Sequence, residues 1–316
     1  MPRFISVVIG VSVYFSSAIL TDLHAQQADP VDFPPEIVLE QRGSIRPHQA
    51  RDCGRLLEIL EPRGALADKL FDILILEAMG CDIPALAIAR DIVARPSESE
   101  IAGLRALLLT YIAAKQYDRI ETNKARLNLD EAFELLTNEG GCFATATRVF
   151  ALRVKSNLEF AKRDPGKAKA PLDQAFAQAR ALAEQGPDCA AISPIHKARV
   201  FETKAYQAVA AGEDAKARKA FEKALDLYAN AKRPVAEMHV LYALAEMTDG
   251  LAPRGSSDYR KQAEAIREKL IRKWEKGQTD SQSGQPGKQQ ETATAGLWRF
   301  LDYVSVADPI GEYRPK

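Results

Sequence analysis

The sequence predicts an all-α protein of consecutive antiparallel helical hairpins, and three observations carry that prediction. Ala, Leu, Glu, Lys and Arg dominate the composition, while clusters of Val, Ile and Thr are sparse after the first 20 residues. Apolar residues recur at spacings of three and four, which marks helices with one buried face. Gly and Pro interrupt that pattern at Gly80, Gly140-Gly141, Gly186-Pro187, Gly212 and Pro234. With 316 residues, no net formal charge and 46% apolar residues, the chain can bury a substantial core.

Residues 1–25 read as a secretory signal peptide. Arg3 supplies a short positive region, FISVVIGVSVYFSSAIL an uncharged apolar run, and Ala25 a small residue before the polar QQADP. Cleavage is expected after Ala25; the alternative is an uncleaved anchor, for which the apolar run is slightly short. No later segment is long and apolar enough to span a bilayer, so no integral span is expected after signal removal. Residues 26–50 are Pro-rich and aperiodic and read as an extended arm.

The helical repeat domain is expected over residues 51–276. Leu56, Leu57 and Leu60 form its first stripe, and Leu66, Leu70, Ile73 and Leu74 the next, ending at Gly80. Asp82 is placed to cap the following helix, with Pro84 in its first turn and Ile88, Ala89, Ile92 and Val93 facing inward. Ser97 and Glu100 form a capping box ahead of Leu104, Leu107, Leu108 and Tyr111. A helix containing LDEAFELL follows and stops at Gly140-Gly141. Val154, Leu158 and Ala161 stripe the next helix, DPG at 164–166 turns the chain, and Ala168, Leu172 and Ala175 face inward beyond it. Gly186-Pro187 stops that helix, and Ser193-Pro194 is expected to open another as N-cap and first-turn proline. Pro234 begins a helix carrying Met238, Leu241 and Ala245, and the last long helix runs from about Ser256 to Lys276.

Within this domain, AYQAVAAGEDAKARKAFEKALDLYANA at 205–231 has a small residue, Ala205, where two helices approach, and Gly212 at the turn. Ala217, Phe221 and Ala224 place small, large and small side chains on one face at spacings of four and three. This stretch resembles one hairpin of a tetratricopeptide repeat. Ala168, Leu172 and Ala175 repeat the pattern 49 residues earlier, against a family period of about 34 residues. A weaker match begins at Tyr111, with Ile120 and Lys124 in the small and large places. The resemblance covers roughly residues 101–275. It implies a right-handed α-solenoid of stacked hairpins whose concave groove binds a protein or peptide, and it carries no catalytic residues. It also nominates Tyr206, His239 and Tyr242, on or beside helices that open hairpins, as groove-lining binding residues.

Residues 277–295 are polar and of low complexity, so they are expected to form a linker. The composition then reverses in 296–316, where Trp298, Phe300, Leu301 and Tyr303 mark an apolar docking segment. Residues 297–306 are expected to return to the solenoid, on its last exposed apolar face or in its groove.

Four cysteines in an exported chain point to disulfides. Cys53, Cys81, Cys142 and Cys189 each lie at a helix beginning, and such starts recur along one edge of a stack of hairpins. Pairing Cys53 with Cys81 and Cys142 with Cys189 joins sequence neighbours on that edge. The few, scattered histidines give no metal-ligand spacing, and neither a metal nor a cofactor is expected.

The chain contains no G-x-S-x-G, no phosphate-cradling glycine loop and no H-E-x-x-H, and a non-enzymatic protein is expected. His196 reads as a surface or capping residue, and Glu131 and Glu134 as a solvated pair. Charge is uneven: about seven net negative charges in 26–142 against about eight net positive in 143–276. The basic run of 260–276 offers a contact to an anionic surface; no nucleic-acid partner is expected. The function expected is therefore a periplasmic or secreted scaffold that binds a protein or peptide partner of the cell envelope. The alternatives are a non-catalytic accessory subunit of an enzyme processing envelope polymer, and a self-assembling structural protein.

Overall fold

The computed structural model describes residues 66–78, 81–95, 102–118, 121–162, 165–249 and 258–270, together with Cys53, Arg272 and Leu301. The signal segment, the 26–50 arm, the 277–295 linker and most of 296–316 lie outside the described residues. So do the capping box at Ser97 and Glu100 and the Leu56, Leu57, Leu60 stripe.

The described chain is helical, with no strand among those residues. Its complete α-helices are α1 (Leu66–Ala78), α2 (Asp82–Ala94), α3 (Ala102–Asp118), α4 (Thr122–Leu136), α5 (Gly141–Ala161), α6 (Pro165–Ala181), α7 (Pro187–Ala210), α8 (Asp214–Asn230) and α9 (Pro234–Asp249). A 3-10 turn at Leu182–Glu184 follows α6, and residues 258–270 are again helical. The helices pack in consecutive pairs: α1 with α2, α3 with α4, α5 with α6, and α7 with α8. Each pair meets the next, through α2 with α3, α4 with α5, α6 with α7 and α8 with α9. The opening helices α3, α5 and α7 also pack on one another in order. This is an all-α, solenoid-like arrangement.

Sequence differences explain the two helix types. In α4, α6 and α8 the first inward residue is the fourth of its helix, and burial follows one stripe at spacings of four, three and four. The stripes are Ala125-Leu129-Ala132-Leu136, Ala168-Leu172-Ala175-Ala179 and Ala217-Phe221-Ala224-Tyr228, every member 7% exposed or less. Such a stripe buries one face and leaves the other to solvent. By contrast, α3 is buried from Gly103 to Ala114 with only Arg105 half-exposed, and α5 and α7 are buried around most of their circumference. The pairs are thus built as an inner helix followed by an outer one.

The α4 stripe corrects the weaker repeat alignment. Its small and large members are Ala125 and Leu129, five residues beyond Ile120 and Lys124, and Lys124 is exposed. The offsets between the three stripes are 43 and 49 residues. The long inner helices, 21 residues in α5 and 24 in α7, account for the stretched period.

The turns repeat as well. The N–H of Cys81, Glu121, Glu213 and Arg233 each donates to the carbonyl five residues back, on Leu76, Gln116, Ala208 and Tyr228, at 2.7–3.0 Å. This bond satisfies a carbonyl left over at a helix end. It needs a left-handed residue just before the donor: Gly212 takes φ 72° at one such turn and Lys232 φ 54° at another.

Two helix starts differ from expectation. The N-cap of α2 is Cys81, and Asp82, expected as the cap, is the first residue of the helix. Gly186-Pro187 does end a helix, but Gly186 at φ 124° is also the N-cap of α7, with Pro187 in its first turn. Ser193-Pro194 does not open a separate helix; both lie inside α7. The Ser193 hydroxyl donates to the Ala179 carbonyl at 2.7 Å, tying α7 to α6 instead of capping anything.

Two disulfides are present, Cys53–Cys81 and Cys142–Cys189, with Cα separations of 5.6 and 5.3 Å. Cys81 caps α2, and the second bond joins the first turns of the inner helices α5 and α7. Among the described residues no helix is long and apolar enough to cross a membrane.

Candidate functional site

The polar chemistry of the described chain concentrates where the inner helices α5 and α7 meet. Arg153 and Asn157 on α5, and Arg199, Thr203 and Gln207 on α7, recur at spacings of four, so each set shares one helix face. All five are 9% exposed or less. Gln207 Nε2 donates to Ser156 Oγ and to Asn157 Oδ1, both at 2.9 Å, and Arg153 Nε donates to Thr203 Oγ1 at 2.8 Å. Ser156 Oγ donates in turn to the Ala168 carbonyl of α6 at 2.7 Å. The buried Tyr228 hydroxyl of α8 donates to the Glu202 carboxylate of α7. A seam of this kind specifies the register of the two helices, because any slip leaves buried donors and acceptors unmatched.

Burial pushes the Tyr228 hydroxyl well above its ordinary pKa, and the adjacent Glu202 carboxylate adds to that. His196 lies in the same region and is buried, not on the surface as its first-turn position after Pro194 suggested. Burial holds its imidazole well below the ordinary value of 6.5, and the positive charges of Arg199, Arg153 and Arg233 push the same way. A depressed folded-state pKa means that the unfolded chain takes up the proton first. The stability from a neutral His196 is complete above the unfolded value near 6.5 and is lost as pH falls from there toward the folded value. The unfolding midpoint should therefore drop on acidification from pH 7 to pH 5, and His196→Gln should flatten that part of the profile. A denaturant titration at a series of pH values checks this.

A second polar group ties α1 to α3. The Tyr111 hydroxyl donates to Glu77, and Lys115 pairs with Glu77 and reaches Asp82 at 3.4 Å. Burial raises the Glu77 carboxyl pKa, opposed by the Lys115 charge.

The three nominated groove residues are not brought into one cluster. Tyr206 is half-buried inside the α7–α8 hairpin, edge-on to Phe221 with ring centroids 4.9 Å apart. Tyr242, in α9, donates to Glu264 of the 258–270 helix at 2.8 Å. His239 is exposed and lies one turn before Tyr242. The two tyrosines thus serve contacts within different helix pairs, and His239 is the most accessible of the three.

Of the docking segment, Leu301 is described: it is helical, 1% exposed, and a member of the core cluster of α1–α5. Trp298, Phe300 and Tyr303 lie outside the described residues. In the basic run, Lys261, Arg267 and Arg272 pair with Asp258, Glu264 and Glu268 of their own helix at 3.3–3.8 Å. Exposed pairs of this kind add little stability but offset the charge locally.

The sequence alone does not single out the polar seam. Its signal is present, since Arg153, Asn157, Arg199, Thr203 and Gln207 recur at helical spacing. Such a run reads as a solvated face until neighbouring helices are shown to cover it.

No protein-family model matches the chain, and no curated protein matches it significantly.

Proposed function

We propose that this chain is an exported, non-enzymatic adaptor of the bacterial periplasm or cell envelope, binding a protein or peptide along tetratricopeptide-like helical hairpins. The observation that carries the reading is the threefold stripe on α4, α6 and α8, joined to matching turns and inner helices that pack in order. Modular stacks of this kind spread stability over neighbours and present extended surfaces, which suits recognition better than chemistry at one point. The disulfides favour an oxidising compartment and so support the exported part of the reading.

Two measurements test it. Protein isolated from the native host should begin near Gln26; a start at Met1 with the protein in membranes makes the leader an anchor. Cross-linking and mass spectrometry on intact cells should yield a recurrent envelope partner, and joint alanine substitution of Tyr206, His239 and Tyr242 should weaken its capture. Unchanged capture would remove those residues from the interface.

A further inference from the structure

Several exposed cations of the described chain pair with carboxylates one turn away on their own helix, as Lys162 does with Glu159, Lys216 with Glu213 and Arg267 with Glu264, at 2.7–3.4 Å. One side of α7 is built differently. Lys197, Phe201 and Lys204 recur there at spacings of four and three, and no position three or four residues from either lysine is acidic. Lys204 is exposed, and the other two are half-buried. Phe201 meets Phe176 of α6 edge-on, with ring centroids 5.4 Å apart, and carries the Lys223 ammonium of α8 over its own ring at 5.3 Å. This side of α7 therefore opens between the outer helices α6 and α8. Among the described residues, none of Lys197, Lys204 and Lys223 forms an ion pair.

The same pattern occurs 49 residues earlier on α5, as Arg148, Leu152 and Lys155, at the offset that relates the buried stripes of α6 and α8. There the cations are engaged. Arg148 donates to the Leu136 and Glu139 carbonyls, and Lys155 rests over the Phe133 ring with Glu159 one turn further on. On α7 neither lysine is engaged in this way. Two helical turns, about 10 Å, separate Lys197 from Lys204, and Lys223 sits over the residue between them, so three ammonium groups stand in a row at a pitch of about 5 Å. The carboxylates one turn from Phe176 and from Lys223 are Asp173, which Lys169 reaches at 4.0 Å, and Asp226, which pairs with none of the three. Like charges held at this pitch repel one another, and a polyanion laid along α7 relieves that repulsion.

We propose that Lys197, Lys204 and Lys223 form a binding row for a linear anionic polysaccharide, a chain of sugar acids with one carboxylate on each ring. Such a polymer carries its charges at close to the pitch of the row, and it offers apolar C–H faces to the half-buried Phe176 and Phe201 rings. The backbone groups of α7 are used within the helix, so the row reads its ligand by charge and spacing through side chains alone. An extended peptide turns successive side chains to opposite faces, which sets the charges on one side about 6.6 Å apart and matches the row less well. A flat layer of lipid headgroups does not enter between two helices. With about 3.6 residues per turn, Tyr206 lies nearly opposite Lys197 and Lys204 on α7, so this row is separate from the nominated partner surface.

The test needs no protein partner, so failure of the adaptor reading leaves the proposal intact. Binding of a fluorescent oligomer of galacturonic acid to the full-length oxidised chain is followed by polarisation at low ionic strength, where surface charge is least screened. The oligomer should bind, and Lys197→Gln combined with Lys204→Gln should weaken it by about tenfold, with a smaller loss from Lys223→Gln. Lys261→Gln combined with Arg267→Gln removes the same charge from the basic stretch near the C-terminus and should change the affinity by less than about twofold. Neutral dextran should not compete, and polyglutamate should compete about tenfold less well than unlabelled galacturonate oligomer. Absence of binding, an equal loss in the Lys261 and Arg267 variant, or competition by polyglutamate as strong as that of the sugar acid would each overturn the proposal.

Discussion

Replacing Phe221 by alanine should destabilise the α7–α9 region by about 3–5 kcal/mol, the usual cost of removing a fully buried aromatic ring. Phe221 is 1% exposed, stands edge-on to Tyr206, and shares its cluster with Ala205, Ala220, Ala224, Tyr228 and Val240. Four of the cluster's small members are alanines of α7 and α8, which bring the helices close around the ring but cannot grow into the space it leaves. The loss should also be local. In a stack where each unit leans on its neighbours, exchange should accelerate in α7, α8 and α9 while α1–α4 keep their protection. Phe176 is only half-buried in its contact with Phe201, so Phe176→Ala should cost less. Denaturant unfolding with region-resolved hydrogen exchange checks both size and place.

Removing either disulfide should have an effect of similar size. Cross-links closing 28 and 47 residues constrain the unfolded chain by about 3.5 and 4 kcal/mol in the chain-entropy account. The Cys142–Cys189 bond joins the first turns of two inner helices, so Cys142→Ser with Cys189→Ser should loosen α5 against α7 and, with them, the polar seam. Reduction by dithiothreitol, which opens both bonds, should lower the unfolding midpoint further than the double serine variant, which removes one. An unchanged midpoint in both would mean that packing alone fixes these helices. Cys81 and Cys189 are buried, so reduction should be slow unless the chain opens first.

Much of the array was legible in the sequence because its signals are local. Helix periodicity, the prolines at 187 and 234 and the Ala217-Phe221-Ala224 stripe each depend on residues within a turn or two of one another. The cysteine pairing was legible for a related reason, since helix starts fall on one edge of a stack. The α4 stripe lies five residues beyond the place that the turn around Tyr117 suggests. An alanine-rich helix offers several small-large-small sets, and only the rule that the first small residue is the fourth of its helix selects among them. Pro194 misled because proline marks a helix start by habit; in α7 it sits in the second turn, where the ring costs one backbone bond and the Ser193 contact to α6 compensates. The seam of Arg153, Arg199 and Gln207, and the burial of His196, depend on which helix lies opposite, and that information is not local. The same holds for Leu301, whose apolar character was evident and whose place among α1–α5 was not.

If the chain is an adaptor, its partner meets the faces carrying Tyr206 and His239 and not the exposed faces of α4 and α8. Site-specific photo-cross-linking in living cells of the native host tests it directly. A photoreactive side chain is placed at Tyr206 on the inner helix α7 or at His239 on α9, and at Leu127 or Lys219 on exposed faces of the outer helices α4 and α8. An adduct with one recurrent envelope protein is expected from positions 206 and 239, and none from 127 and 219. Adducts from all four positions alike, or from the outer pair alone, would contradict it.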